Sequence, residues 1–147
     1  MKIRFALNGS AVEVDARTDE TLLSVLRRDL GVLSVRETCG IGACGACTVL
    51  VDGETISACL LLAPLAEGAQ ITTIEGLGGD HPVQRAFSDA HAFQCGYCTP
   101  GMILTAKRFL EENPSPSEEE IRLALAGNLC RCGCYVKIVE AVKRAAA

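Results

Sequence analysis

Tryptophan is absent from this 147-residue chain, and aromatic residues of all kinds make up only 4% of it. Any core must therefore be built from aliphatic side chains. There is no excess of basic charge: the formal net charge is -4 and the pI about 5.2. The electrostatic footprint of a nucleic-acid binder is missing, and the short pairs Arg27-Arg28 and Lys143-Arg144 read as solvated helix faces. No long hydrophobic run occurs either. The longest, around "ACLLLAPLA", is far too short to span a bilayer. The opening "MKIRFALNGSAVEV" alternates in polarity and contains no apolar stretch of the kind a leader carries. These absences lead to the expectation of a cytoplasmic protein without a membrane span.

Cysteine, by contrast, is plentiful, with nine residues. A reducing compartment and an odd count speak against a disulfide framework, which leaves metal binding as the better reading. The composition is otherwise globular: 49% hydrophobic and 22% charged. Two halves of about 70 residues each would be marginal by burial alone and would gain from a metal staple.

The first half reads as strand-rich. "IRFALNGSAVEV" is a hairpin about Asn8-Gly9, and "TVLVDGETISAC" a second about Asp52-Gly53; both dipeptides favour the two-residue turn. Between them Leu22, Leu23, Leu26 and Leu30 recur at helical spacing, with Gly31 as the stop. "AQITTIEGL" is expected to form a last strand ending near Glu75. The glycine-rich "GLGGDHP" breaks the pattern at residues 76–82. Beyond it the period is helical. Four helices are expected: over "PVQRAFSDAHAF", from Thr99-Pro100 to about Glu112 with the Thr99 hydroxyl as cap, from the Ser117/Glu120 capping box to Ala126, and over "YVKIVEAVKRA". The fold class is thus α+β, in two domains spanning 1–76 and 80–147.

Two cysteine groups carry the chemistry. Cys39, Cys44, Cys47 and Cys59 are spaced C-x4-C-x2-C-x11-C, and the first three match the plant-type 2Fe–2S loop. Gly40, Gly42 and Gly45 let that loop wrap a compact cluster, with Cys59 supplied from the end of the second hairpin. A phosphate cradle is excluded, because no Walker lysine follows. In the second group, Cys95 and Cys98 precede the helix at Thr99-Pro100, and Cys130 and Cys132 follow far along the chain. By spacing alone this group also suits structural zinc. Spacing also leaves open whether Cys130 acts with Cys132, as a turn bracketed by Gly127 and Gly133 favours, or with Cys134, as a helix would require. His81 and His91 read as surface residues, and Tyr97 and Met102 as core packing.

Taken together, "ETCGIGACGACTVLVDGETISAC", "QCGYCTPGM" and "ALAGNLCRC" resemble the iron–sulfur subunit of the molybdenum hydroxylases, the xanthine dehydrogenase and aldehyde oxidase family. The likeness extends over essentially the whole chain. It implies a β-grasp ferredoxin-like domain followed by a four-helix bundle, each holding one 2Fe–2S cluster. Cys39, Cys44, Cys47 and Cys59 would hold the cluster nearer FAD; Cys95, Cys98, Cys130 and Cys132 would hold the one nearer the molybdopterin cofactor. Gln94 would match the glutamine that hydrogen-bonds the pterin. Cys134 falls where the family has Thr or Gly, and so is left as a small packed residue.

The resemblance further implies two partners, a large molybdopterin-binding subunit plus a medium FAD-binding subunit, assembled with this chain into a dimer of heterotrimers. The chain itself would relay single electrons from molybdenum to FAD. The family hydroxylates heterocycles or aldehydes with water as the oxygen source, and a reductive branch acts on aromatic acyl-CoA. The chain shows no nucleophile–base pair or carboxylate cluster of its own, and the substrate pocket would lie on the large partner. A free two-cluster ferredoxin is the alternative.

Overall fold

A computed structural model describes residues 1–146. Strands β1 (Lys2–Leu7), β2 (Ser10–Asp15), β3 (Thr48–Val51), β4 (Glu54–Ser57) and β5 (Gln70–Thr72) form one sheet in the order β2-β1-β5-β3-β4. Both hairpins turn where the sequence places them. Asn8 and Gly9 take φ of 51° and 83°, and Asp52 and Gly53 take 50° and 89°, the left-handed pair that a two-residue turn requires. In register, Ile3 faces Val14 and Phe5 faces Val12.

The central strand, β5, has only three residues, and the turn side chains secure its ends. Asp52 Oδ1 accepts the Gln70 amide at 2.8 Å. Asn8 Oδ1 accepts the Thr73 amide, and Asn8 Nδ2 donates to Thr73 Oγ1, both at 2.9 Å. β5 runs parallel to β1 and antiparallel to β3. The expected strand to Glu75 is therefore shorter: at Ile74–Leu77 the chain turns into a 3₁₀ segment, and Ile74 and Leu77 leave the sheet to pack against the helices.

Helix α1 (Leu22–Arg28) covers the sheet, burying Leu22, Leu23, Val25 and Leu26 with Ile3, Phe5, Val49 and Ile71. Thr21 caps it by accepting the Ser24 amide at 3.2 Å. The next free amides of its first turn, those of Leu22 and Leu23, donate to Leu61 at 2.7 Å and Ala58 at 3.0 Å. Satisfying these helix-end donors fixes the segment that carries Cys59.

The second core is helical. Helices α2 (Pro82–Asp89), α3 (Thr99–Glu112), α4 (Glu118–Ala124) and α5 (Tyr135–Ala146) bury Val83, Phe87, Met102, Ile121, Ile138 and Val142 among them. The Ser117/Glu120 capping box forms as expected. Three boundaries differ. α2 stops at Asp89 instead of Phe93, because His91 turns left-handed with φ 49°. α4 stops at Ala124, short of Gly127. At α3 the cap is Cys98, which leaves Thr99 inside the helix with no capping bond. His81 is half-buried and caps α2, its Nδ1 accepting the Val83 amide at 3.2 Å. The architecture is α+β. No helix among the described residues is long and apolar enough to cross a membrane.

Candidate metal centres

The segment 36–47 is held as an irregular loop by its own backbone. Arg36 N–H donates to Ala46 at 3.2 Å, and the Thr48 amide and hydroxyl both donate to the Gly45 carbonyl, at 3.2 and 2.7 Å. Gly40, Gly42 and Gly45 all have φ near +70°, a region that costs a side-chain-bearing residue about 1 kcal/mol. The result is an inward-turned set of amides. Those of Ile41, Ala43 and Cys44 point at the Cys39 sulfur; led by the Ile41 amide, and aided by the Cys44 thiol, they bring the Cys39 thiol down to about 6. Cys47 and Cys59 lie deeper, 3% and 8% exposed. Burial pushes the Cys47 thiol up to about 11, with the Cys59 and Cys44 thiols adding to the rise.

The second group forms where the start of α3 meets the turn before α5. Cys98 pairs with Cys130, and burial first, then this partner, pushes Cys98 up to about 12. Cys95 is exposed and lies against Cys132; the Tyr97 amide donates to its sulfur at 3.4 Å and is the main cause of its lowered pKa. For Cys130, burial works upward, but the Cys134 amide at 3.4 Å and the other donors outweigh it and the thiol is lowered. Burial raises the Cys134 thiol, with Cys130 and then Cys132 adding to the rise.

Within each group neighbouring thiols perturb one another: Cys44 acts on Cys39, Cys59 and Cys44 on Cys47, Cys132 and Cys130 on Cys95, Cys130 and Cys95 on Cys98, and Cys98 and Cys134 on Cys130. All nine cysteines are free of disulfides. Among the described residues no three His, Cys, Asp or Glu side chains converge on a single-ion site. A mononuclear tetrahedral zinc needs four donors about one point. Four cysteines gathered in each of two groups, with the Tyr97 and Cys134 amides donating to sulfur at the second, suit a binuclear rhomb, in which each iron would take two thiolates.

The two sites adjoin. Leu129, beside Cys130, donates its amide to the Cys44 carbonyl at 2.9 Å. Buried Asn128 donates to the Gly45 carbonyl at 3.2 Å. Met102 is buried in the helical core as expected, but Tyr97 is not core packing. It is 43% exposed, donates its hydroxyl to Glu37 at 2.7 Å, and lies under the Arg36 guanidinium. Nothing in the sequence marks Asn128 or Tyr97 for a joining role, since their partners lie far away in the chain. Gln94 is exposed, between Phe93 and Cys95, both also exposed.

Comparison with known proteins agrees with this geometry. A 2Fe-2S iron-sulfur cluster binding domain matches residues 5–73, and a second 2Fe-2S binding domain matches residues 73–143. The nicotinate dehydrogenase of Pseudomonas putida has a subunit that is 51% identical, over 98% of this chain and 94% of that one. The small FeS subunit of nicotinate dehydrogenase from Eubacterium barkeri is 48% identical, over 97% and 93%. The crystal structure of quinoline 2-oxidoreductase from Pseudomonas putida 86 contains a chain that superposes with a TM-score of 0.95 at 40% identity, covering 99% of this chain and 93% of that one. Fold and site thus define an iron–sulfur electron-transfer protein of ferredoxin-like type. The chain belongs to the iron–sulfur small subunits of the molybdenum hydroxylase family, and it serves an oxidoreductase by transferring electrons.

Proposed function

We propose that this chain carries electrons, one at a time, between a molybdopterin centre on a large partner and FAD on a medium partner. Its β-grasp domain (residues 1–76) and four-helix bundle (residues 80–147) would each hold one cluster. Cys39, Cys44, Cys47 and Cys59 are the ligands of the first, and Cys95, Cys98, Cys130 and Cys132 of the second. A 2Fe–2S cluster, when bound, supplies a one-electron couple. The chain's own residues supply the rest: thiolates to hold iron, amides to stabilise added negative charge on sulfur, and a junction at Leu129 and Cys44 that keeps the two loops in hydrogen-bonded contact.

The observation that carries this reading is the gathering of two cysteine groups at adjoining sites, each inside a segment that matches a 2Fe-2S binding domain. Assembly, as against a freely diffusing ferredoxin, is favoured by the surface at the second site. Phe93, Tyr97 and Leu129 are 45%, 43% and 53% exposed there, beside Gln94, and apolar side chains clustered on a surface mark an interaction site. Gln94 would face the pterin. A dimer of heterotrimers in the cytoplasm completes the proposal. The nicotinate and quinoline enzymes among the relatives support an N-heteroaromatic ring as the substrate class of the complex.

The test is composition. Purified protein is expected to contain about four irons and about four acid-labile sulfides per chain, and its reduced form to give two distinct EPR signals. Stoichiometric zinc without sulfide overturns the reading. Elution of the native chain by itself, with no flavin or molybdopterin partner, favours the free carrier.

A further inference from the structure

Tyr97 belongs by sequence to the second site, between Cys95 and Cys98, but its side chain is held by the segment entering the first. Its hydroxyl donates to the Glu37 carbonyl at 2.7 Å, and the Arg36 guanidinium lies 5.1 Å from its ring centroid. A cation within about 6 Å of a ring face is attracted to it. Arg36 is in turn fixed to the first loop. Its amide donates to Ala46, between Cys44 and Cys47, at 3.2 Å, and its Nη1 donates to Leu33 at 3.0 Å. Its Nε is buried and has no hydrogen-bond acceptor among the described residues. On its other side, Tyr97 donates its backbone amide to Cys95 Sγ at 3.4 Å, across a turn that Gly96 makes with φ of 75°.

We propose that the Arg36–Tyr97 pair is a strap through which the first site sets the reduction potential of the second. The proposal rests on the two-cluster reading above. Reduction adds one electron to the second site, with no bond made or broken, and increases the negative charge on its sulfurs. An amide donating to a ligand sulfur and a cation beside the site both favour that reduced form and raise the potential. The strap keeps both in place: Glu37 and Arg36 fix the ring, and the fixed ring holds the Tyr97 amide on Cys95. Arg36 and Tyr97 are positioning residues, since neither ligates iron.

The experiment is an EPR-monitored redox titration of the complete, cluster-loaded complex, with dithionite as the electron source. The second cluster is identified as the signal that Cys132→Ser removes. Arg36→Met and Tyr97→Leu are each expected to shift this potential downward, by more than they shift the other. The double variant is expected to shift it by less than the sum of the two single changes, because both singles break the Arg36–Tyr97 contact. Tyr97→Phe keeps the ring over Arg36 and the amide but loses the hydroxyl bond to Glu37, so it is expected to shift the potential downward by less than Arg36→Met does, a comparison that stands even if the larger truncation fails to fold. Unmoved potentials in Arg36→Met, or additive shifts in the double variant, overturn the strap alone. A parent without two 2Fe–2S signals overturns the underlying reading and the strap with it.

Discussion

The amide of Leu129 donates to the carbonyl of Cys44 at 2.9 Å, so the residue preceding Cys130 rests on the backbone of a cysteine of the other site. Glycines make this approach possible. A Cβ on Gly101 would lie 2.4 Å from the Gly45 carbonyl oxygen, and one on Gly45 would lie 2.4 Å from that of Gly127. Backbone on both sides leaves no flexible side chain to yield. Gly101→Ala is therefore expected to destabilise the protein by about 1–3 kcal/mol, the cost of overpacking. Gly127 is exposed, and its added Cβ would meet nothing within 4 Å. Gly127→Ala, away from any such contact, should stay within about 0.5 kcal/mol of the parent. Thermal unfolding followed by circular dichroism separates the two variants; equal midpoints would show that the junction is not close-packed.

Removing the metal should expose the cysteine loops selectively. The segments about residues 36–47, 93–98 and 128–134 contain no helix or strand, and metal binding contributes folding energy to loops of this kind. Trypsin has a cleavage site within or at the edge of two of them, at Arg131 and Arg36. Chelation under oxidising conditions, followed by limited trypsinolysis and mass spectrometry, is expected to give early cuts after Arg36 and Arg131. Cuts after Arg108, inside α3 and ion-paired to Glu54 at 2.6 Å, should come later. Equal cutting of the loaded and stripped protein at Arg131 would mean that the turn is ordered without metal.

What the sequence made legible was local. Asn8-Gly9 and Asp52-Gly53 announce their turns because the required positive φ is a property of those residues themselves. Cysteine spacing marks out the first loop, Cys39, Cys44 and Cys47, in the same local way, whereas the choice among Cys130, Cys132 and Cys134 stays open by spacing. Pairing within a group is not local. Cys132 acts on Cys95 and Cys130 on Cys98, a nested order that only the docking of the α5 approach onto α3 decides. The central position of β5 depends on two turns far from it in sequence. Tyr97 read as core because aromatic side chains usually bury, but its partners Arg36 and Glu37 lie in the other half of the chain. The cap of α3 fell to Cys98 because the turn through Gly96 continues directly into the helix.

Glu20 provides a pH test independent of iron ligation. Its side chain is 6% exposed and ion-pairs with Arg28. It also accepts the Ser24 hydroxyl at 2.8 Å and the Arg17 amide at 3.2 Å. Burial works to raise its pKa, but Arg28, Ser24 and the Arg17 amide outweigh it and the carboxyl is held below its ordinary value. A depressed folded pKa means that the carboxylate's contribution to stability is complete above the unfolded value of about 4.5 and is lost as pH falls through the lower folded one. Glu20→Gln should thus be less stable than the parent at pH 7, with the gap narrowing below about pH 4.5. Urea unfolding of both proteins across that range measures it. A gap that stays constant with pH would assign the effect to packing instead of charge.

Three cysteines in five residues, Cys130, Cys132 and Cys134, pose the sharpest question at the second site. Cys132 reaches Cys95, and Cys130 reaches Cys98, so these two complete both pairs. Cys134 donates its amide to the Cys130 sulfur at 3.4 Å. Its carbonyl accepts the Ile138 amide at 2.9 Å, which puts it immediately before α5, where serine is a favourable cap. Cys134→Ser is therefore expected to keep about four irons per chain and to alter stability by no more than about 1 kcal/mol. Cys132→Ser is expected to lose one of the two EPR signals and about half the iron, and to loosen the helical half. Iron analysis and EPR of the two variants side by side decide the matter. Loss of the signal in Cys134→Ser with retention in Cys132→Ser would assign the fourth ligand to Cys134, immediately before α5, and would refute Cys132 as a ligand.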